Sequence, residues 1–113
     1  MYSYICETPE VLRSIINNRK KITDEFVTYI TEKEIEQIYV LGSGTSYHAG
    51  LSAKNYLEEL LGMKVFVMYP TQFERGEKVF NKKTLVIGMS QGGQSLSTVA
   101  GLDAAARQGL YTA

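Results

Sequence analysis

Two short stretches hold the residues that could do chemistry. The first, Gly42-Ser43-Gly44-Thr45-Ser46, follows the apolar run 38–41 and precedes a helical pattern that begins at Tyr47. The second, Ser90-Gln91-Gly92-Gly93-Gln94-Ser95-Leu96-Ser97-Thr98, follows the apolar run Leu85-Val86-Ile87-Gly88-Met89. Each reads as a buried strand, a glycine turn rich in hydroxyls and a helix N-terminus. A helix start presents unpaired N–H groups and the positive end of the dipole, so it suits an anion. Ser43, Thr45, Ser46, Ser90, Ser95 and Thr98 add hydroxyls, Gln91 adds an amide, and Gly44, Gly92 and Gly93 let backbone N–H groups approach. Such neutral donors bind phosphate without a fixed cation, and so release it easily. Phosphate binding is therefore the leading reading, with these ten positions as candidate site residues.

The plain alternative is that these are ordinary cap and turn residues, since serine and threonine precede many helices. For either loop alone that reading is preferred. Two such loops, each after a strand and before a helix, reverse the preference. Other phosphate motifs fit less well. The first loop has tyrosine, Tyr47, where a dinucleotide fingerprint needs its third glycine, and no Gly-Lys-Ser/Thr follows to make a nucleoside-triphosphate loop.

These loops need a scaffold. The run 38–41 is the first strand, 64–69 the second and 84–89 the third, separated by a helix over about 47–61 and a short helix over 71–78. In the 47–61 helix, Ala49, Ala53, Tyr56, Leu57, Leu60 and Leu61 are placed on the apolar side, and Gly62 ends it. A last helix runs from about Ser95 to Gln108 and is closed by Gly109. Before the first strand, Thr8-Pro9-Glu10 reads as a helix start. Apolar residues then recur to Ile30 with a weak point at Asn17-Asn18, giving one bent helix or two short ones. Residues 1–36 are thus an N-terminal helical segment and 37–113 the phosphate-binding domain. Apolar strands alternating with helices argue for an α/β fold, a three-layer α-β-α sandwich around a parallel, flavodoxin-like, doubly wound sheet. If the second strand lies on one side of the first and the third on the other, both loops emerge at the switch point where such sheets bind ligands. The ending Gly109-Leu110-Tyr111-Thr112-Ala113 falls where a further buried strand would begin. The expectation is a sheet cut after its third strand–helix unit, from a longer protein.

Composition narrows the partners. The chain has 113 residues, enough for one domain, and 44% are apolar, enough for a core. Twelve basic residues balance twelve acidic ones, so no global positive field would hold nucleic acid. No apolar run reaches membrane-spanning length, and no signal-peptide core is present. Cys6 is the only cysteine, so neither an intrachain disulfide nor a cysteine-based metal site is expected. The setting this implies is reducing and cytoplasmic. No metal or cofactor is called for.

A resemblance now becomes concrete. Leu41-Gly-Ser-Gly-Thr-Ser-Tyr-His-Ala-Gly50, Leu57-Glu-Glu-Leu60 and Leu85-Val-Ile-Gly-Met-Ser-Gln-Gly-Gly-Gln-Ser95 resemble the SIS (sugar isomerase) domain. The likeness is strongest to the first SIS half in the isomerase part of glucosamine-6-phosphate synthase and to fructosamine-phosphate deglycases, and it covers about residue 7 to the end. It implies that Thr45, Ser46, Ser90, Gln91 and Ser95 wrap a sugar phosphate. Three positions depart from the family's Ser-Gln-Ser-Gly-Glu-Thr loop: its second serine is Gly92 here, its glutamate is Gln94, and its threonine is Ser95. Where the family has Ser-Glu-Phe-Arg after the second strand, this chain has Thr71-Gln72-Phe73-Glu74.

Isomerising a phosphorylated sugar needs a base, usually a carboxylate, to move a proton between adjacent carbons, and a group that opens the ring. The resemblance places both in a second SIS half and a C-terminal tail, which this sequence lacks. The glutaminase domain of the resembling synthases is also missing, so glutamine-dependent amidotransfer is not expected. His48, the sole histidine, could open a ring, but a packed or half-exposed helix residue is the preferred reading. Glu74 and Glu77 are candidate bases only by their nearness to a strand end. Tyr47 and Tyr56 read as core or interface aromatics, and Cys6 as a small apolar residue.

Three functions compete. The first is the N-terminal half of a phosphosugar aldose–ketose isomerase or deglycase, binding its substrate but turning over little alone. The second is a non-catalytic phosphosugar-sensing regulatory module. Regulators of that type usually carry a DNA-binding helix-turn-helix, for which residues 9–31 are too short. The third is a nucleotide-binding Rossmann domain, against which the missing third glycine and the absence of an acid at Val67-Met68-Tyr69-Pro70 both count. An open-edged small sheet is a liability. A homodimer is expected, through the N-terminal helices and the region 56–61.

Overall fold

The computed structural model describes residues 1–76 and 79–113. The chain divides into two compact units, Met1–Glu34 and Ile35–Ala113.

The first unit is two helices, α1 (Tyr2–Asn17) and α2 (Arg19–Glu32). They meet at Asn18, where the backbone turns to φ −97°, ψ 6°. Thr8-Pro9 does not start a helix: α1 begins at Tyr2 and runs through Pro9. Proline's φ is compatible with a helix; inside one it removes the donor to the carbonyl four residues back and crowds that carbonyl with its ring. The Thr8 hydroxyl, instead of capping, donates back to the Tyr4 carbonyl at 2.7 Å. Neither helix has a buried residue, and Cys6 is exposed.

The second unit is an α/β domain. Its strands are β1 (Gln37–Gly42), β2 (Lys64–Met68), β3 (Thr84–Met89) and β4 (Tyr111–Thr112), and its helices are α3 (Thr45–Leu61), α4 (Pro70–Arg75) and α5 (Leu96–Arg107). The sheet order is β2-β1-β3-β4 and every pairing is parallel. The expected reversal between β1 and β3 is present. The sheet does not stop at three strands: β4 adds to β3, and the pairing continues as Gly88 N–H donates to the Ala113 carbonyl at 2.8 Å and Ala113 N–H to the Val86 carbonyl at 3.0 Å.

Alternation along the strands assigns the two faces. On one, Tyr39, Leu41, Val86 and Met68 meet Phe73 of α4 and Ala105 and Leu102 of α5, with Phe80 and Leu110 closing the cluster. Tyr39 is at its centre, stacked on Phe66 at 4.7 Å and edge-on to Phe73 and Phe80 at 5.8 and 5.2 Å. Burial there pushes its phenol pKa up. On the other face α3 covers the sheet at Gly50, where an added Cβ would stand 3.0 Å from Val67 and 3.2 Å from Val40. The inward side of α3 therefore differs from the expected one. Gly50 is its buried residue, while Tyr56 and Leu60 are 67% and 64% exposed. A glycine allows the helix to lie close on the sheet, and that contact rotates the larger apolar residues outward. Tyr56 is accordingly no core aromatic.

Pro70 begins α4 rather than merely stopping β2. It occupies the first helical position, Tyr69 is the cap, and Tyr69 N–H donates to Gln72 Oε1 at 3.2 Å. The end of the expected helix at Lys78 lies outside the described residues. Gly62 ends α3 in the left-handed region, as its place predicts.

Candidate functional site

The β1/β3 register sets the site. Leu41 pairs with Gly88 and Gly42 with Met89, so the two strands end level and both loops leave from the same edge of the sheet. Two close approaches hold the helices there. A Cβ on Gly42 would lie 3.0 Å from backbone atoms of Ser46 and Tyr47, so α3 starts hard against the end of β1. A Cβ on Gly88 would lie 2.8 Å from Leu102 and 2.9 Å from Thr98, so α5 is equally close to β3. Glycine at these ends is a packing requirement that no larger side chain meets without displacement.

Neither helix start is closed by a side chain. Gly44 caps α3 at φ 56°, a conformation that favours glycine, and brings no side chain to its amides. Ser95 caps α5, yet its hydroxyl makes no bond to the α5 amides. The first bonds inside the helices are His48 N–H to the Gly44 carbonyl at 3.2 Å and Val99 N–H to the Ser95 carbonyl at 3.0 Å. The amides of Thr45, Ser46 and Tyr47, and those of Leu96, Ser97 and Thr98, precede these first intrahelical bonds.

Between the loops is a cleft of about 550 Å³ lined by Thr45, Ser46, Ala49, Gly88, Met89, Ser90 and Gln91. Among the described residues, none that lines it is ionisable. Of the ten positions singled out by sequence, the structure brings Thr45, Ser46, Ser90 and Gln91 around this cleft. Ser43 and Gly44 are exposed in the first turn, and Gly92 and Gly93 in the second, where Gly93 N–H donates to the Ser90 carbonyl at 3.3 Å. Ser95 and Thr98 do not line the cleft. The Thr98 hydroxyl donates to Ser95 Oγ at 3.0 Å, and Ser97 Oγ is 3.3 Å from Ser95 Oγ. Ala49, Gly88 and Met89 were missed by motif reading. Their signal was positional: Ala49 is one turn beyond Thr45 in α3, and Gly88-Met89 ends the strand that feeds the second loop.

Beside the cleft, Tyr47 stacks on Tyr69 at 4.4 Å, tying the start of α3 to the cap of α4. His48 is exposed and its ring meets Tyr47 edge-on at 5.5 Å. Glu74 is exposed on α4, and Glu77 lies outside the described residues. Among the described residues, no group of histidine, cysteine, aspartate and glutamate is arranged to hold a metal ion, and no helix is long and apolar enough to cross a membrane.

A doubly wound parallel sheet with its crevice at the β1/β3 switch point defines an α/β domain of the ligand-binding kind. Residues 30–112 match the SIS domain family, and the chain belongs to it. Over 117 residues it is 32% identical to a glutamine–fructose-6-phosphate aminotransferase (isomerizing) of Fusobacterium nucleatum, an alignment covering 99% of this chain and 19% of that protein. Among solved structures it superposes with a TM-score of 0.81 and 38% identity on a candidate phosphosugar isomerase of Clostridium difficile 630, covering 96% of this chain and 30% of the other. The same TM-score, with 31% identity, is found for a candidate sugar-binding protein of Salmonella typhimurium LT2, covering 98% and 35%. The chain thus spans about a fifth of the length of that aminotransferase and about a third of the two solved chains.

Proposed function

We propose that the chain is a phosphosugar-binding SIS domain, the N-terminal half of a double-SIS aldose–ketose isomerase or fructosamine-phosphate deglycase. One observation carries this reading: the start of α3, without a side-chain cap, and four neutral polar side chains face one cleft, and none of the described residues lining it is charged. The phosphate is placed against Thr45, Ser46, Ser90 and Gln91. The turns that hold Ser43, Gly44, Gly92 and Gly93 supply backbone N–H groups, and Ser95 and Thr98 belong to the wall behind them. Domain bounds of 1–36 for the helical segment and 37–113 for the binding domain accompany this reading, as does a cytoplasmic setting.

A second reading, a phosphosugar sensor without catalysis, has one observation in its favour. Among the described residues, none that lines the cleft is ionisable, so these supply no proton acceptor. Isomerisation requires one. In the first reading a second SIS half supplies it.

Calorimetric titration with fructose 6-phosphate and glucosamine 6-phosphate, with inorganic phosphate and NAD as controls, tests the site. Saturable phosphosugar binding that weakens in Ser90→Ala and Thr45→Val is expected, whereas binding of NAD alone would overturn the reading. A homodimer is part of the proposal. Its support is the exposure of Tyr56 and Leu60 on α3 and of Leu12, Ile15 and Ile16 on α1. Light scattering that shows a monodisperse monomer at high concentration would sink it.

A further inference from the structure

Thr45 and Ser46 line the cleft as the first two residues of α3, and Tyr47, the third, does not line it. The turn ahead of them brings little to orient them: Gly42 and Gly44 have no side chains, and Ser43 and Gly44 are exposed. A helix turn moves as one body, with successive residues about 100° apart around its axis. Whatever fixes Tyr47 therefore also fixes the direction of Thr45 and Ser46. Tyr47 is held from outside its own loop, because its ring stacks on that of Tyr69 at 4.4 Å with 18° between the planes.

Tyr69 is a firm anchor. Ahead of it, β2 pairs with β1 as far as Met68, and behind it Pro70 and Phe73 are fully buried. Its carbonyl accepts the N–H groups of Gln72 at 3.0 Å and Phe73 at 3.2 Å. Its own N–H donates to Gln72 Oε1 at 3.2 Å. Tyr69 follows β2, on one side of β1, whereas the cleft wall from Gly88 to Gln91 comes from β3 on the other.

We infer that Tyr69 is a positioning residue for the phosphate site: through its stack on Tyr47 it sets the first turn of α3, so that Thr45 and Ser46 face the cleft. This rests on the phosphosugar reading given above. Tyr69 does not line the cleft, so its effect on a ligand passes through Tyr47. The contact needs the flat ring and not the phenol hydroxyl. Without the ring, the first turn is left to a glycine-flanked loop, and binding must bear the cost of ordering it. A contact that served stability alone would lower the thermal midpoint and leave the affinity of the folded protein unchanged.

The test compares Tyr69→Leu, which removes the ring, with Tyr69→Phe, which keeps it, by calorimetric titration with fructose 6-phosphate. Affinity is expected to fall roughly three- to tenfold in Tyr69→Leu and to stay within about twofold of the parent in Tyr69→Phe. Tyr47→Leu reads the same contact from its other side, should Tyr69→Leu not fold. The double Leu variant should lose no more than the larger single loss, as two halves of one contact do. Unchanged affinity in the Leu variants, an equal loss in Tyr69→Phe, or losses that add in the double variant would each overturn the inference while leaving the site reading in place. If the parent chain binds no phosphosugar, the site reading falls, and NMR order parameters of the ligand-free proteins decide the positioning role. Those of the Thr45 and Ser46 amides should drop in Tyr69→Leu, while those of Ser90 and Gln91 hold. Unchanged order parameters at Thr45 and Ser46 would overturn it.

Discussion

Gly42 and Met89 stand opposite one another as the last paired residues of β1 and β3. From that level the chain turns into Ser43–Ser46 on one side and Ser90–Gln91 on the other, which is why two loops distant in sequence share one cleft. α3 starts at Thr45, just beyond β1, and α5, which starts at Leu96 after the second loop, packs closely on the end of β3. Gly42 and Gly88 permit that closeness.

Gly42→Ala should therefore damage the site more than its size suggests. Its Cβ would meet backbone atoms of Ser46 and Tyr47 at 3.0 Å, and backbone cannot rotate aside as a side chain can. A stability loss of about 1–3 kcal/mol is expected, as for other overpacked positions. Urea unfolding midpoints would measure it, and phosphosugar affinity should fall with it as α3 is pushed off the strand.

Gly92 is the opposite case. A Cβ there meets nothing within 4 Å. Gly92→Ser should change stability by no more than about 0.5 kcal/mol, the usual range for an unconstrained surface position. By adding a hydroxyl to the second loop it should tighten phosphosugar binding, by about 1 kcal/mol for one new hydrogen bond. Calorimetry on the two proteins side by side decides; equal affinities would show that the residue 92 side chain does not reach the ligand.

Phe73 anchors α4 under the sheet. It is fully buried against Tyr39, and it stacks on Phe80 at 5.2 Å. Phe73→Ala should cost about 3–5 kcal/mol through the cavity it leaves. The thermal midpoint should drop steeply and near-ultraviolet dichroism from the aromatic cluster should weaken. A variant as stable as the parent would mean that the cluster does not hold the domain together.

Glu58 links α3 to β2. Its Oε1 accepts the Val65 N–H at 3.0 Å. That bond, with Lys54 and Lys64 nearby, holds its carboxyl below the ordinary value of 4.5. A carboxyl depressed in the folded state adds stability above its unfolded pKa and loses it as pH falls through the folded one. Urea midpoints taken across the acid range should therefore decline below about pH 4, and Glu58→Gln should show a shallower decline. Identical acid profiles for the two proteins would remove Glu58 from the account.

Much of this architecture was legible because local rules and tertiary packing agree. The strand–turn–helix punctuation at Gly42 and Met89, the stop at Gly62, and the run of apolar residues in each strand all follow from backbone preferences that operate within a few residues. The switch point followed from handedness and connection rules, which need only the element order. Where the reading failed, the deciding contact was remote or the local signal ambiguous. Thr8-Pro9 has the form of a helix start, and a proline's φ serves equally inside one. The exposed Tyr56 and Leu60 have the spacing of a buried face. Only the fit of Gly50 against Val40 and Val67 turned that face outward.

The same division holds at the site. From the sequence alone came the fold class, the family, the two hydroxyl-rich loops and the neutral character of their donors, because each depends on residue type and short spacing. Only the tertiary structure could sort the ten candidates by position. Thr45, Ser46, Ser90 and Gln91 meet around one cleft because β1 and β3 end level. Thr98 is turned inward because its methyl fills the space beside Gly88 and its hydroxyl finds Ser95. Spacing along a chain says which residues can reach the same end of a sheet; which of them face a ligand is decided by the packing of helices against strands far away in sequence.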